Sequence, residues 1–253
     1  MIRYEHVHKC LGDHWVLEDV SFEVRKGEIF FIVGPSGTGK SVTLRHMVRL
    51  LTPDEGRVML DEQCVSTARG RELERIRARF GVLFQSGALL EWLTVAENVA
   101  LPLRELTELE PEEIELQVRE KLELVGLPDA MDKYPSEISG GMRKRVALAR
   151  AIILKPEIML YDEPTSGLDP VSSRTIDALI ADMQAKTGIT SVVVTHDLHS
   201  ALSIGTRIAM LFAGRLVELA TPADFVHSQV AEVRAFLDSQ YITRRGNWEN
   251  KPI

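Results

Sequence analysis

The sequence predicts an α/β fold in which a mainly parallel sheet carries a ligand loop and a helical insertion interrupts the core. Three observations predict it. Short apolar runs, Glu28–Val33 (EIFFIV), Phe80–Phe84 (FGVLF), Glu157–Tyr161 (EIMLY), Ser191–Thr195 (SVVVT) and Arg207–Phe212 (RIAMLF), have the length of buried parallel strands. The first of them runs into a glycine-rich turn and then a helical pattern, the opening of an α/β unit. Between the second and third runs the pattern becomes helical. Residues 87–155 therefore read as an inserted subdomain in a core of residues 1–86 and 156–225, all within one domain of residues 1–240. Residues 226–253 read as a C-terminal helix and tail.

The elements follow in order. Val16–Val24 alternates apolar and polar residues as a half-buried strand does, and Lys26-Gly27 turns the chain into Glu28–Val33. Lys40–Leu51 reads as a helix with apolar Val42, Leu44, Met47, Val48 and Leu51. The basic run Arg69–Arg79 reads as a solvated helix face, because Glu72 and Glu74 interleave with its arginines. Pro111–Val125 has acids in its first turn and apolar Ile114, Leu116, Val118, Leu122 and Leu124, and Gly126 and Pro128 stop it. Arg143–Leu154 is a further helix, closed by Lys155-Pro156. A strand at Arg215–Leu219 and helices at Pro222–His227 and Val230–Leu237 follow, and Thr243–Ile253 reads as loosely ordered.

Composition narrows the function. The 253 residues are 45% hydrophobic and 26% charged, which supplies an ordinary globular core. A net charge of −7 argues against a general polyanion binder, and no nucleic-acid partner is expected. No apolar run approaches the ~18–20 residues that span a bilayer, and the start MIRYEHVHK lacks the apolar block of a secretory signal. Cys10 and Cys64 show no metal-ligand or disulfide-framework spacing, so a reducing compartment is expected.

Residues Gly34-Pro35-Ser36-Gly37-Thr38-Gly39-Lys40-Ser41 match the pattern G-x-x-x-x-G-K-[ST] in full. Chance would place its four fixed positions together in roughly one chain in a hundred, and here they also lie between a buried strand and a helix. The glycines let successive N–H groups turn inward on phosphate oxygens, and the helix start adds its positive end. Lys40 is expected to reach the β- and γ-phosphates, and the Ser41 hydroxyl to ligate Mg²⁺. Val42 stands where related loops often place a second hydroxyl. Farther on, the strand ending IMLYDE delivers Asp162 and Glu163 to the carboxyl end of the sheet, where α/β folds bind ligands. Asp162 is the expected Mg²⁺ partner, and Glu163 is placed to accept a proton from an attacking water. Ile138-Ser139-Gly140-Gly141-Met142 precedes a helix, with Ser139 a suitable cap and the two glycines freeing backbone N–H groups.

The order phosphate loop, Gln85, Ile138–Met142, Asp162-Glu163, Ser166-Gly167-Leu168-Asp169, His196 resembles the nucleotide-binding subunit of ABC transporters over residues 2 to 225. The resemblance implies a P-loop NTPase core of RecA-like mixed sheet with an antiparallel β element, plus the inserted helical subdomain. It implies ATP hydrolysis by a homodimer of ATPase subunits paired head to tail. Ser139, Gly140, Gly141 and Met142 then meet the γ-phosphate in trans, Gln85 contacts Mg²⁺ or the water, His196 positions the water, and Asp169 links the two sites. Two departures stand out. Met142 replaces the family's usual glutamine, and Leu11 occupies the position of the adenine-stacking aromatic, so that either nearby Trp15 substitutes or base stacking is weak.

The segment Phe84–Leu90, with Gly34–Val42 and Ser139–Arg150, resembles the ATPases of Mla-type lipid transporters. That implies an integral membrane permease, a mammalian-cell-entry-type periplasmic lipid-binding protein and a small cytoplasmic regulatory subunit as partners. The implied place is the cytoplasmic face of the bacterial inner membrane, as a peripheral subunit energising phospholipid transport. Leu89, Leu90, Trp92 and Leu93 read either as core or as a groove that grips permease helices. An importer ATPase for another substrate and a soluble ATPase acting on nucleic acid or ribosomes are the alternatives, and 253 residues without heptads hold one cassette only.

Overall fold

The structure, a computed structural model, describes residues 1–240 and Ile242, so the expectation for Thr243–Ile253 lies outside the described residues. The chain opens with an antiparallel pair, β1 (Ile2–Leu11) and β2 (His14–Val24). β2 matches the predicted strand and starts earlier. β1 escapes the sequence reading because its register slips between Tyr4 and Cys10, with His6 at φ 50, so its buried residues Ile2, Tyr4 and Val7 lose the period of two.

β3 (Ile29–Val33) is buried along its whole length and leads into α1 (Lys40–Met47). The helix stops short of the predicted Leu51. Arg49 adopts φ 52, and the amides of Leu50 and Leu51 turn back to Arg45 O at 2.8 and 3.2 Å, satisfying the helix end. β4 (Glu55–Leu60) and the short β5 (Gln63–Cys64) follow, neither predicted. α2 (Gly70–Arg77) buries only Ile76, in keeping with a solvated basic face. β6 (Phe80–Leu83) then precedes the helical insertion.

The insertion comprises α3 (Val95–Leu106), α4 (Pro111–Leu124) and α5 (Gly140–Ile152). α3 was not predicted, because Pro102 inside it reads as a breaker. Its capping box was available: Thr94 Oγ1 accepts from Glu97 N at 3.2 Å and Thr94 N donates to Glu97 Oε2 at 2.8 Å. α5 begins at Gly140, three residues before the predicted Arg143, and Ser139 caps it. The core resumes with β7 (Ile158–Asp162), α6 (Pro170–Thr187), β8 (Thr190–Thr195), α7 (Leu198–Ile204), β9 (Arg207–Phe212), β10 (Arg215–Ala220), α8 (Pro222–Val226) and α9 (Ala231–Ser239). The predicted set omitted α6, although Asp169-Pro170 starts it and Gly188 ends it.

Two sheets result. One is antiparallel, in the order β2-β1-β4-β5. The other runs β10-β9-β3-β8-β7-β6, with β10 alone antiparallel. Alternate residues of β3 feed opposite faces. Ile29, Phe31 and Val33 join the core beneath the helical insertion, α6 and α9, and Phe30 and Ile32 join the core shared with the antiparallel sheet. Within the described residues no helix is long and apolar enough to cross a membrane.

The far part of the loop after Gln85 is tied to α3 by a buried polar side chain. Asn98 of α3, fully buried, accepts from Leu90 N at 2.8 Å and donates to the carbonyl oxygens of Leu90, Leu93 and Thr94 at 3.0 to 3.1 Å. This orients the apolar stretch predicted as core or groove. Leu89 packs against the core, whereas Trp92 stands 73% exposed. Replacing Asn98 by its isostere leucine strands buried backbone groups. Urea unfolding of Asn98→Leu should show a loss of about 2–3 kcal/mol.

Candidate active site

The phosphate loop sits where β3 meets α1. Gly34 adopts φ +147, and a methyl group there would lie 2.2 Å from Leu211 O of β9, so only glycine lets the loop leave the sheet at this point. Lys40 opens α1 and is 6% exposed. Its Nζ donates to Gly34 O at 2.8 Å and Pro35 O at 2.9 Å, and Thr38 Oγ1 donates to Pro35 O at 2.9 Å. Burial lowers the Lys40 pKa, opposed by the charges of Glu163 and Asp162. An ammonium in this setting gains by meeting phosphate oxygens. Ser36 and Gly37 complete the turn between them, and Gly39 precedes the helix in the left-handed region. Val42 packs its side chain against the core shared with the antiparallel sheet.

Three strand ends converge beside this loop. Ser41 Oγ donates to Asp162 Oδ1 at 2.7 Å, linking the start of α1 to the end of β7. Glu163 follows at φ 49, an uncommon conformation for a side-chain-bearing residue and one that clusters at functional sites. Its amide donates to Val194 O at 2.8 Å. Its Oε2 lies 2.9 Å from His196 Nδ1 and accepts from Thr195 Oγ1 at 3.3 Å. A carboxylate can only accept, so Nδ1 is the donor of this contact. Glu163 is largely shielded and His196 is half exposed.

The helical insertion reaches this cluster through Lys144 of α5, a residue whose role the sequence reading missed. Its buried Nζ donates to Gln85 O and, at 3.2 Å, to Glu163 O. Burial lowers its pKa, with Asp162 and Glu163 opposing. Arg150 Nη2 of the same helix donates to Gly87 O at 2.8 Å. α5 thus holds the Gln85 loop at two points, while the Gln85 side chain is exposed. The structure places the serine-glycine segment at the other end of α5, against the start of α6. Ser139 Oγ accepts from Met142 N at 3.2 Å, Gly140 faces Leu168, and a methyl on Gly141 would lie 2.9 Å from Ser172 Oγ. Met142 itself packs against the helical core. Asp169 caps α6, accepting from Val171 N and Ser172 N at 2.9 and 3.0 Å and from Ser172 Oγ at 2.6 Å, and these bonds lower its pKa. At the β1–β2 turn, Leu11 and Trp15 are 43% and 51% exposed, and the Trp15 ring meets His8 edge-on at 6.0 Å.

A strand, a glycine loop whose lysine and serine open a helix, and carboxylates on neighbouring strand ends define a nucleoside-triphosphate hydrolase. The model of the ABC transporter family matches residues 17–166, and the chain belongs to that family as an ATP-binding, ATP-hydrolysing transporter subunit. It is 42% identical over 243 residues to the "Probable ribonucleotide transport ATP-binding protein mkl" of Mycobacterium leprae, covering 96% of this chain and 70% of that protein. It is 39% identical over 229 residues to the "Intermembrane phospholipid transport system ATP-binding protein MlaF" of Haemophilus influenzae, covering 90% and 87%. Among solved structures it is similar to the dimeric ATP-binding cassette MJ0796 bound to ADP and phosphate, with TM-score 0.81, 34% identity and coverage of 88% and 99%. Cassettes of this family work as dimers with membrane permeases.

Behind the histidine, α6 and α7 meet through carboxylates. Ser200 Oγ donates to Asp177 Oδ2 at 2.8 Å and to Asp197 Oδ2 at 3.1 Å. Burial, with the Asp197 charge adding and the Ser200 bond opposing, raises the Asp177 pKa to about 6. A raised carboxyl pKa favours the fold at low pH, and that contribution is lost as pH climbs through about 6. Asp177→Asn keeps an acceptor for Ser200 without the charge. It should gain about 1–2 kcal/mol at pH 8 in urea unfolding, after allowance for partial solvent access, and nothing below pH 4.

Proposed function

We propose that two copies of this chain close head to tail around ATP and so drive a phospholipid transporter connecting inner and outer membranes. The Glu163–His196 contact at 2.9 Å carries the hydrolytic part of this reading. Lys40 and the N–H groups of Gly34–Val42, those of all but Pro35, hold the phosphates. Glu163 accepts the proton of the attacking water, and His196 fixes that carboxylate and positions the water. Ser139, Gly140, Gly141 and Met142 of the second copy complete the pocket, and Asp169 lies on the path between the two sites.

Within the described residues no cluster of three or more His, Cys, Asp or Glu side chains could hold a metal ion. The hard oxygens of Ser41 and Asp162 instead fit Mg²⁺, an ion that completes its shell with phosphate and water, and Gln85 would be a further ligand. Bound there, Mg²⁺ would neutralise charge on the β- and γ-phosphates.

The lipid assignment rests on the match to MlaF over 229 residues together with the Phe84–Leu90 segment. On this reading the chain works on the cytoplasmic face of the inner membrane with a permease, a mammalian-cell-entry-type lipid-binding protein and a small regulatory subunit. A second reading, an importer ATPase for another solute, is favoured by 43% identity over 242 residues to "Methionine import ATP-binding protein MetN 2" of Rhodopseudomonas palustris.

Glu163→Gln should retain ATP binding, lose turnover by about a hundredfold or more, and run as an ATP-dependent dimer in size exclusion with light scattering. Near-parental turnover would exclude Glu163 as the base. Mild-detergent capture of the native complex, with mass spectrometry of proteins and lipids, should return a permease, a mammalian-cell-entry-type protein and phospholipid. Recovery of a permease with a solute-binding protein instead would establish the importer reading.

A further inference from the structure

The turn between β8 and α7 sets where the His196 ring can stand, and its backbone groups can be followed one at a time. Asp197 N donates to Thr195 Oγ1 at 3.0 Å. His199 N and Ser200 N donate to the Asp197 carboxylate, the ordinary cap of a helix start. His196 O and Leu198 N flank the turn and need partners of opposite polarity. Both are met by one side chain from the far end of the chain. Gln240 Nε2 donates to His196 O at 2.6 Å, and Gln240 Oε1 accepts from Leu198 N at 2.9 Å. Only a primary amide offers a donor and an acceptor side by side at this reach. A carboxylate supplies acceptors alone and a lysine donors alone.

The reach is not that of a loose terminus. Gln240 closes α9, which is seated in the core by Val233, Phe236 and Leu237. The amides of Gln240 and Ile242 both return to Leu237 O at 3.1 Å, and Ile242 is 2% exposed. The residue is therefore anchored on both sides, and its amide spans the backbone on either side of His196-Asp197. It also lines, with Ser166, Leu168, Ser173, His196 and Asp197, an open cavity of about 350 Å³.

We infer that Gln240 is a positioning residue for ATP hydrolysis: it holds the His196 backbone so that Nδ1 stays on the Glu163 carboxylate. The inference rests on the reading of Glu163 and His196 as the hydrolytic pair. Loss of both amide bonds frees the turn and misplaces the ring, and a displacement of about 1 Å near reacting groups can cost up to about a hundredfold in rate. The phosphate loop, Lys40 and Ser41 lie on other elements, so ATP affinity should not follow.

The test uses the full chain in its native complex. Gln240→Met preserves shape and removes both bonds. It should lower kcat about tenfold while KM for ATP stays within about twofold of the parent. In ¹⁵N-histidine-labelled protein the His196 Nδ1 resonance should move away from its parental position. A kcat within about twofold of the parent, a KM that rises in step with the loss, or an unmoved His196 resonance would each overturn the inference. If Gln240→Met does not fold, Gln240→Glu keeps the acceptor for Leu198 N, removes the donor to His196 O, and is read the same way. His196→Ala measured in parallel separates the two levels. Parental turnover in that variant removes the hydrolytic pair and this inference together. Lost turnover there, beside an unaffected Gln240→Met, removes the inference alone.

Discussion

The hydrogen bond from Ser41 to Asp162 joins residues 121 positions apart and crosses the end of β8, which lies between β3 and β7 in the sheet. Its length of 2.7 Å requires that all three strands finish at a common level. Once they do, the residue after Asp162 has one productive course. Glu163 turns through φ 49, its amide continues the ladder onto Val194, and its carboxylate falls over Thr195 and His196. The geometry proposed for hydrolysis is thus a consequence of strand register at the carboxyl edge of a parallel sheet, where backbone N–H groups and helix starts already gather.

Charge is arranged around that edge with the same economy of parts. Lys40 and Lys144 come from different elements, yet both are buried and both feel Asp162 and Glu163. Each ammonium loses hydration and regains part of it from backbone carbonyls, Gly34 and Pro35 for one, Gln85 and Glu163 for the other. Removing either partner of such a set leaves a buried charge uncompensated, which costs far more than a surface pair of the same length. The helical insertion is bound into this arrangement through Lys144 and Arg150. A shift of α5 must therefore carry the Gln85 loop with it and be felt at Glu163.

The parts of the site legible in the sequence are those that a short run of residues defines. The phosphate loop needs its glycines, lysine and hydroxyl within one turn, so its spacing alone declares it, and the strand ending in Asp162-Glu163 is nearly as plain. Lys144, Asn98 and Gln240 were invisible for the opposite reason. Each acts on backbone groups of a distant segment, and nothing in a lysine, asparagine or glutamine at its own position signals a carbonyl brought near by folding. Among the elements, β1 was hidden by its bulges and α3 by Pro102. The overlong reading of α1 failed at Arg49, where a residue with no special turn propensity takes the left-handed conformation. α6 carries its own signals in an Asp-Pro start and a glycine end.

The seat of the phosphate loop has a further consequence for how the molecule is made. Gly34 leaves β3 in close approach to Leu211 O of β9, and β3 is flanked by β8 and β9, which enter the chain more than a hundred residues later. A ribosome therefore exposes the loop long before it synthesises the strands that hold it. Until β8 emerges, β3 is an apolar strand with both edges unpaired, the state most prone to wrong association, and one edge stays open until β9 follows. A polypeptide released early would display the nucleotide motif in full and lack the scaffold that shapes it.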